Sequence, residues 1–445
     1  MYDSIFVEGM NTPTVTLAFQ YFLDDAMSAA SSKGMPVVRV VPETIVSEST
    51  VVEDIEAAIT GVADDMVDAL VRPLTGEEQS PKPREPEEYP RIVFKGTLEE
   101  VNRFFYRRGW TDGLPIIPPT EEAVAEMLTG TDLPDDHLVA ELEPRLGKAT
   151  VEKIAIIGAM AGALPTYMPL LIAGVEALAA NPVLGMMAVS TGSFSPFWLI
   201  NGPIAKDVHI NASFGAMSPG NIANAAIGRA LGLITKNIRG VRKQIEDMGV
   251  LGNPGKYTMV VAENEAFNPW KPFHVEQGFH KEDSTITLTF PQSFQQMVPF
   301  GTDDQGILGT VVSSVTPARM GLFGLVLTPA NAKTLASKGW TKKTIIDYII
   351  ENAIVPMEQI KRFGPGVGGS IFRDVSNDTS DSFHIFQRTE RYPEPVQIYV
   401  FGGFGSWLGF LQGGPQPVVR KAELPANWEQ LVNKYKNIVP SYVRY

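Results

Sequence analysis

Glu263, His274, Glu276 and His280 fall within one short segment, Glu263 to Asp283, together with Asn264, Glu265 and Trp270. Carboxyl and imidazole groups exchange protons near neutral pH once their surroundings tune them, which makes this segment the first candidate for acid–base chemistry. The chain has 5 histidines, and two of them lie here. On an extended backbone, His274-x-Glu276 would present both side chains on one face. His274 and Glu276, with Glu263 beside them, then form an acid–base set. His274, Glu276 and His280 are alternatively ligands for a divalent metal, although their spacing follows no standard zinc motif. A purely structural loop is the third reading.

Ligand binding points to Asn201–Arg229. Ser218-Pro219-Gly220-Asn221 leads into an apolar run at helical spacing, and the free N–H groups of such a helix start hold anions. Asn201, Lys206, Asn211, Ser218, Asn224 and Arg229 add donors for a carboxylate or similar group. The pattern is neither a Walker loop nor a dinucleotide fingerprint, and a structural Ser-Pro helix start is the alternative. Asp112 lies in the stiff Thr111–Pro115 turn, just after Arg107 and Arg108, which can clamp a carboxylate or phosphate or simply end a helix. Two glycine-rich stretches, Arg362–Ser370 and Phe401–Gly405, allow close approach to a ligand or serve as turns.

Composition narrows the chemistry. The 445-residue chain has no cysteine, so thiolate nucleophiles, zinc–thiolate sites and iron–sulfur ligation by this chain are excluded. A net charge of −13, from 37 basic and 50 acidic residues, argues against nucleic acid or an anionic membrane as partner. MYDSIFVEGMN lacks the basic-then-apolar order of a signal peptide, so the expected location is cytoplasmic. Ile154–Val175 carries no charge and is long enough to cross a bilayer. Pro165 and Pro169 interrupt it, and buried core helices are the better expectation.

Positioning these groups calls for an α/β fold: a large mixed-sheet domain over 91–420 with a small N-terminal α/β appendage over 1–75. In the appendage, Thr14–Lys33 reads as a helix closed by Gly34, MPVVRVVP as a buried strand, and 49–74 as a second helix capped by Ser49 or Thr50. Residues 76–90, polar and Pro-rich, read as a linker, and 421–445 as a tail that docks on a partner or on the chain's own body. In the large domain, TLEEVNRFFYRRGW and Thr120–Leu128 read as helices. ILGTVVSSV reads as a strand, NAKTLASKGW and TKKTIIDYIIENA as helices, and PVQIYVFGG as a strand. No short repeat of solenoid period is present.

The segments RRGWTDGLPIIPPT, INGPIAKDVHIN, NIANAAIGRALGLI, LGNPGKYTMVVAENE and PFHVEQGF resemble the large domain of the UGSC family of cysteine- or selenocysteine-containing proteins. The likeness covers most of residues 95–400. The first 75 residues resemble the tail half of that family's namesake domain, which is similar to component B of the glycine, sarcosine and betaine reductases. The resemblance implies a reactive Cys or Sec loop ahead of the first helix. Here that position reads Glu8-Gly9-Met10-Asn11-Thr12-Pro13-Thr14, and no residue there can form a thiolate or selenolate.

Three functional readings follow. In the first, the chain is one subunit of a heteromeric enzyme acting on a carbon–heteroatom bond of a small anionic metabolite, with a companion chain supplying the Cys or Sec. In the second, it is a stand-alone lyase, hydratase or hydrolase using His and Glu or a metal. In the third, it is a non-catalytic binding or scaffold subunit. Self-association is a further expectation, since 34 prolines suggest extended segments that wrap a neighbour.

Overall fold

A computed structural model describes residues 1–45, 51–82, 89–316, 321–363 and 378–438. Ser49, Thr50 and the glycines Gly364, Gly366, Gly368 and Gly369 lie outside the described residues.

The fold is α/β. In the N-terminal unit, strands β1 (Thr16–Phe19) and β2 (Val40–Glu43) pair in parallel, and helices Leu23–Ser32 and Val52–Val71 follow them. The expected helix over Thr14–Lys33 is therefore strand at its start and helix only over Leu23–Ser32. The run from Thr16 to Phe19 pairs with β2 instead, and the helix begins only at Leu23. Among the described residues no third strand joins this pair. The unit is held to the body through buried Glu246, which accepts hydrogen bonds from Ser28 Oγ at 2.6 Å and from Arg145 Nη1 at 3.0 Å.

The body opens with helices Leu98–Arg107 and Glu121–Leu128, followed by a hairpin, β3 (Leu138–Leu142) and β4 (Gly147–Thr150). Its main strands then come in two sets. The first is β5 (Phe197–Asn201), β6 (Val260–Ala262), β7 (Thr285–Thr289) and β8 (Ser293–Met297). After β9 (Phe323–Leu327) comes a short antiparallel ribbon, β10 (Ile354–Pro356) with β11 (Ser382–His384). The second set is β9 with β12 (Val396–Val400), β13 (Leu408–Gln412) and β14 (Val418–Lys421).

The sheets are ordered β14-β7-β5-β6 and β12-β9-β13-β8. Both have one plan. The first two strands of each set are parallel, the third is antiparallel to the first, and the fourth leaves to edge the other set's sheet. The body is thus a two-fold internal repeat with exchanged edge strands. Each first strand runs into a helix started by proline, at Pro203 after β5 and at Pro329 after β9.

Strand alternation builds four layers. Trp198, Ile200, Val260, Ile286 and Leu288 face helices Val151–Ala161, Met168–Ala179 and Ile222–Asn237. Phe323, Leu325, Ile398 and Phe410 face helices Asp304–Ser314, Pro329–Ser337 and Lys342–Asn352. Between the sheets lie Phe197, Leu199, Val261, Val326, Tyr399 and Leu411. The run Ile154–Val175 forms parts of two buried helices broken at Gly162, and no single helix among the described residues is long and apolar enough to cross a membrane. ILGTVVSSV, expected as a strand, is helical. Asp303 caps that helix by accepting from Gly306 N at 2.8 Å, and Ile307, Leu308 and Val311 bury one helical face. The segment after residue 421 docks on the chain's own body: Tyr435 OH donates to Glu126 at 2.6 Å, and Trp428 Nε1 to Asp207 at 2.9 Å.

Candidate active site

The two parallel strand pairs end side by side. Asn264 N donates to Val400 O at 2.7 Å and Gly402 N to Ala212 O at 2.8 Å, joining the end of β12 to the loop after β6 and to the connection that follows β5. The carboxyl ends of parallel strands are where open α/β sheets hold ligands.

Asn201 ends β5 and Glu263 follows β6, and the register sets both toward the layer between the sheets, level with Thr285 of β7. Glu263 is fully buried. Its carboxyl accepts from Asn201 Nδ2 at 2.6 Å, Phe273 N at 2.6 Å and Asn268 Nδ2 at 2.8 Å. Burial pushes its pKa up to about 7, even though Lys342, Phe273 N and Asn201 pull it down. Glu265 caps the end of β5, accepting from Asn201 Nδ2 at 2.9 Å and Gly202 N at 2.8 Å. Gly202 is required there. Its φ is +84°, and an added Cβ would come within 2.1 Å of Asp283 O.

His274 is completely buried, with Nδ1 3.9 Å from Glu265 Oε1. Neither ring nitrogen has a hydrogen-bond partner, and Asn201 Oδ1 and Thr285 Oγ1 are buried without one as well. A native interior rarely leaves so many polar atoms unpaired in one place, so these atoms are the candidate contacts for a hydrogen-bonding ligand. Tyr399 lies in the same layer, its hydroxyl pKa raised by burial and by the Glu263 charge.

Lys342 reaches in from the second strand set. Its Nζ is 3.9 Å from Glu263 Oε1, 2.8 Å from Glu276 Oε2 and 3.1 Å from Lys271 O. Glu276 is partly exposed, and burial raises its pKa.

Several expectations are corrected here. Phe273–Glu276 is one helical turn rather than a strand, so His274 and Glu276 point apart: the histidine goes inward and the glutamate to Lys342. His280 is exposed, and among the described residues no three His, Asp or Glu side chains stand close enough to share a metal ion. Of the anion-binding set, Asn201 alone joins the site. Arg229 is engaged by Asp112 through a bidentate pair at 2.8 and 3.0 Å, which fastens the 111–115 turn to helix Ile222–Asn237. Buried Asn224 spends its amide on Asn211 N and on the carbonyls of Asn211, Ala216 and Val260. Asn211 closes a local turn with Ser213 N and Phe214 O. Lys206 and Ser218 are exposed. Sequence reasoning missed Lys342. A lysine in the first turn of a helix opposes the helix dipole, and that was its one visible signal.

Comparison of the chain with protein-family models, with curated proteins and with solved structures finds no match in any of the three.

Proposed function

We propose that this chain is an enzyme, or the acid–base subunit of one, that moves a proton on a small metabolite as a carbon–heteroatom bond is made or broken. The lyase, hydratase and hydrolase classes share that step. The observation carrying the reading is the Glu263 carboxyl, buried among three hydrogen-bond donors at the carboxyl ends of the strands and raised to about pKa 7. A carboxyl with such a pKa both gives and takes a proton at neutral pH. Asn201 and Phe273 N hold it in place, and the unpaired atoms of His274, Asn201 and Thr285 await the substrate's polar group. The test is NMR in D2O with a panel of small hydroxy, keto and amino acids. Exchange of a substrate C–H for C–D that disappears in Glu263→Gln supports the reading. A panel with no exchange, together with a Glu263 that is ionised at pH 6, ends it.

A second reading, in which a companion chain adds the missing Cys or Sec nucleophile, is favoured by the N-terminal unit. Among the described residues its parallel sheet has two strands, and helix Val52–Val71 leaves Val52, Ile59, Val67 and Val71 exposed. Two parallel strands cannot stand alone without cover, so the unit offers an edge and an apolar face to another polypeptide. Native mass spectrometry on protein from its own host tests this. A second chain in fixed ratio with a Cys- or Sec-bearing loop supports it, and this chain alone refutes it.

A further inference from the structure

The Glu263 side chain is fully buried. Its oxygens face two asparagine amides and a backbone N–H, none of which carries an acidic proton. An acid–base group must recover its protonation state after each turnover, so a buried one needs a conductor. Lys342 is the titratable cation beside it. Its ammonium is almost wholly buried, stands 3.9 Å from Glu263 Oε1 and donates at 2.8 Å to Glu276 Oε2. The Glu276 side chain is 30% exposed and so meets solvent. The three groups form a line from the site to the surface.

We propose that Glu263, Lys342 and Glu276 are a proton relay that reloads the acid–base carboxyl from bulk water; this rests on the acid–base reading of Glu263. When Glu263 is left as a carboxylate, Lys342 swings through the short gap on its flexible stem and gives it one ammonium proton. Glu276, the carboxylate partner of the resting ion pair, then takes a proton from water and passes it to the neutral amine, which leaves Glu276 a carboxylate and Lys342 an ammonium again. The net change is one proton moved from solvent to Glu263, with every intermediate group restored. The reverse sequence discharges it. The other charges around the line are Glu265, near His274, and Lys271, which acts on Glu276. Neither stands between the three.

The experiment follows hydrogen–deuterium exchange of the protonated Glu263 carboxyl by infrared spectroscopy on the full-length protein, with the band assigned by its loss in Glu263→Gln. The decisive variant is Lys342→Arg. Arginine keeps the positive charge but does not surrender its proton, so a merely electrostatic or structural role survives and a relay does not. The relay predicts that Lys342→Arg and Glu276→Gln each slow carboxyl exchange by roughly tenfold or more. The Glu263 titration midpoint should stay near wild type in Lys342→Arg, and methylamine should restore the rate in Lys342→Ala. An unchanged rate in Lys342→Arg overturns the relay and leaves the acid–base reading standing. So does exchange that merely tracks opening of the β6 backbone amides. Absence of the protonated-carboxyl band in the wild type near neutral pH overturns both.

Discussion

Lys342 Nζ lies 3.9 Å from Glu263 Oε1, and this contact joins the two strand sets. Glu263 follows a strand of the first set, and Lys342 starts a helix that packs on the sheet of the second. The pair exists only because the two sets are folded against each other.

Loss of the Lys342 charge should raise the Glu263 pKa, because the ammonium is the largest influence lowering it. In Lys342→Met, carboxyl 13C NMR should show the Glu263 midpoint above its wild-type value. The destabilisation should be greater at pH 8 than at pH 6, since only the ionised carboxyl misses its partner. An unmoved midpoint would show that the two groups are not coupled.

Glu263 also makes stability depend on pH. Its folded pKa of about 7 lies above the ordinary value of 4.5, so between these limits the folded state holds more protons than the unfolded state. Its contribution is fully present below about pH 4.5 and is lost as pH rises through 7, amounting to about 3 kcal/mol at most. Urea unfolding across this range should show that slope in the wild type. Glu263→Gln should flatten it, whatever its overall stability.

Arg229 and Asp112 are a fastening rather than a ligand clamp. Both are mostly buried, and their bidentate pair holds the 111–115 turn. Arg229→Lys should cost about 1–3 kcal/mol, because the planar fork is lost. Ligand-dependent proton exchange should persist in the folded fraction. Selective loss of ligand binding at unchanged stability would restore the anion-binding role.

Gly202 is expected to be intolerant. Gly202→Ala drives a Cβ toward the Asp283 carbonyl and strains a left-handed backbone, at a cost of about 2–4 kcal/mol. Because Gly202 N holds Glu265, the variant should disturb the site as well as the melting temperature. A melting temperature equal to wild type would contradict this reading.

Much of this protein is local and could be read along the chain. The α/β class, the helices Leu98–Arg107, Glu121–Leu128 and Lys342–Asn352, and the strand Val396–Val400 follow from short-range periodicity and from Thr caps at positions 97, 120 and 341. Glu263 could be singled out in the sequence as a carboxyl near His274 and Glu276, but its burial at the end of β6 could not. Short-range pattern fails where a segment is apolar on every side, as in ILGTVVSSV, whose β-branched residues suit a strand but whose Asp303 cap and buried neighbours favour a helix.

What only tertiary structure decided is partnership. Arg229 carries the same charge whether it meets a substrate or Asp112, and the fold gave it Asp112. The internal repeat left no periodic trace, because its two sets share register and strand direction rather than residues, and each sends its fourth strand to the other sheet. The pKa of Glu263 likewise belongs to no residue alone. It arises from desolvation between two sheets, partly offset by a lysine from the other set, and both depend on long-range packing.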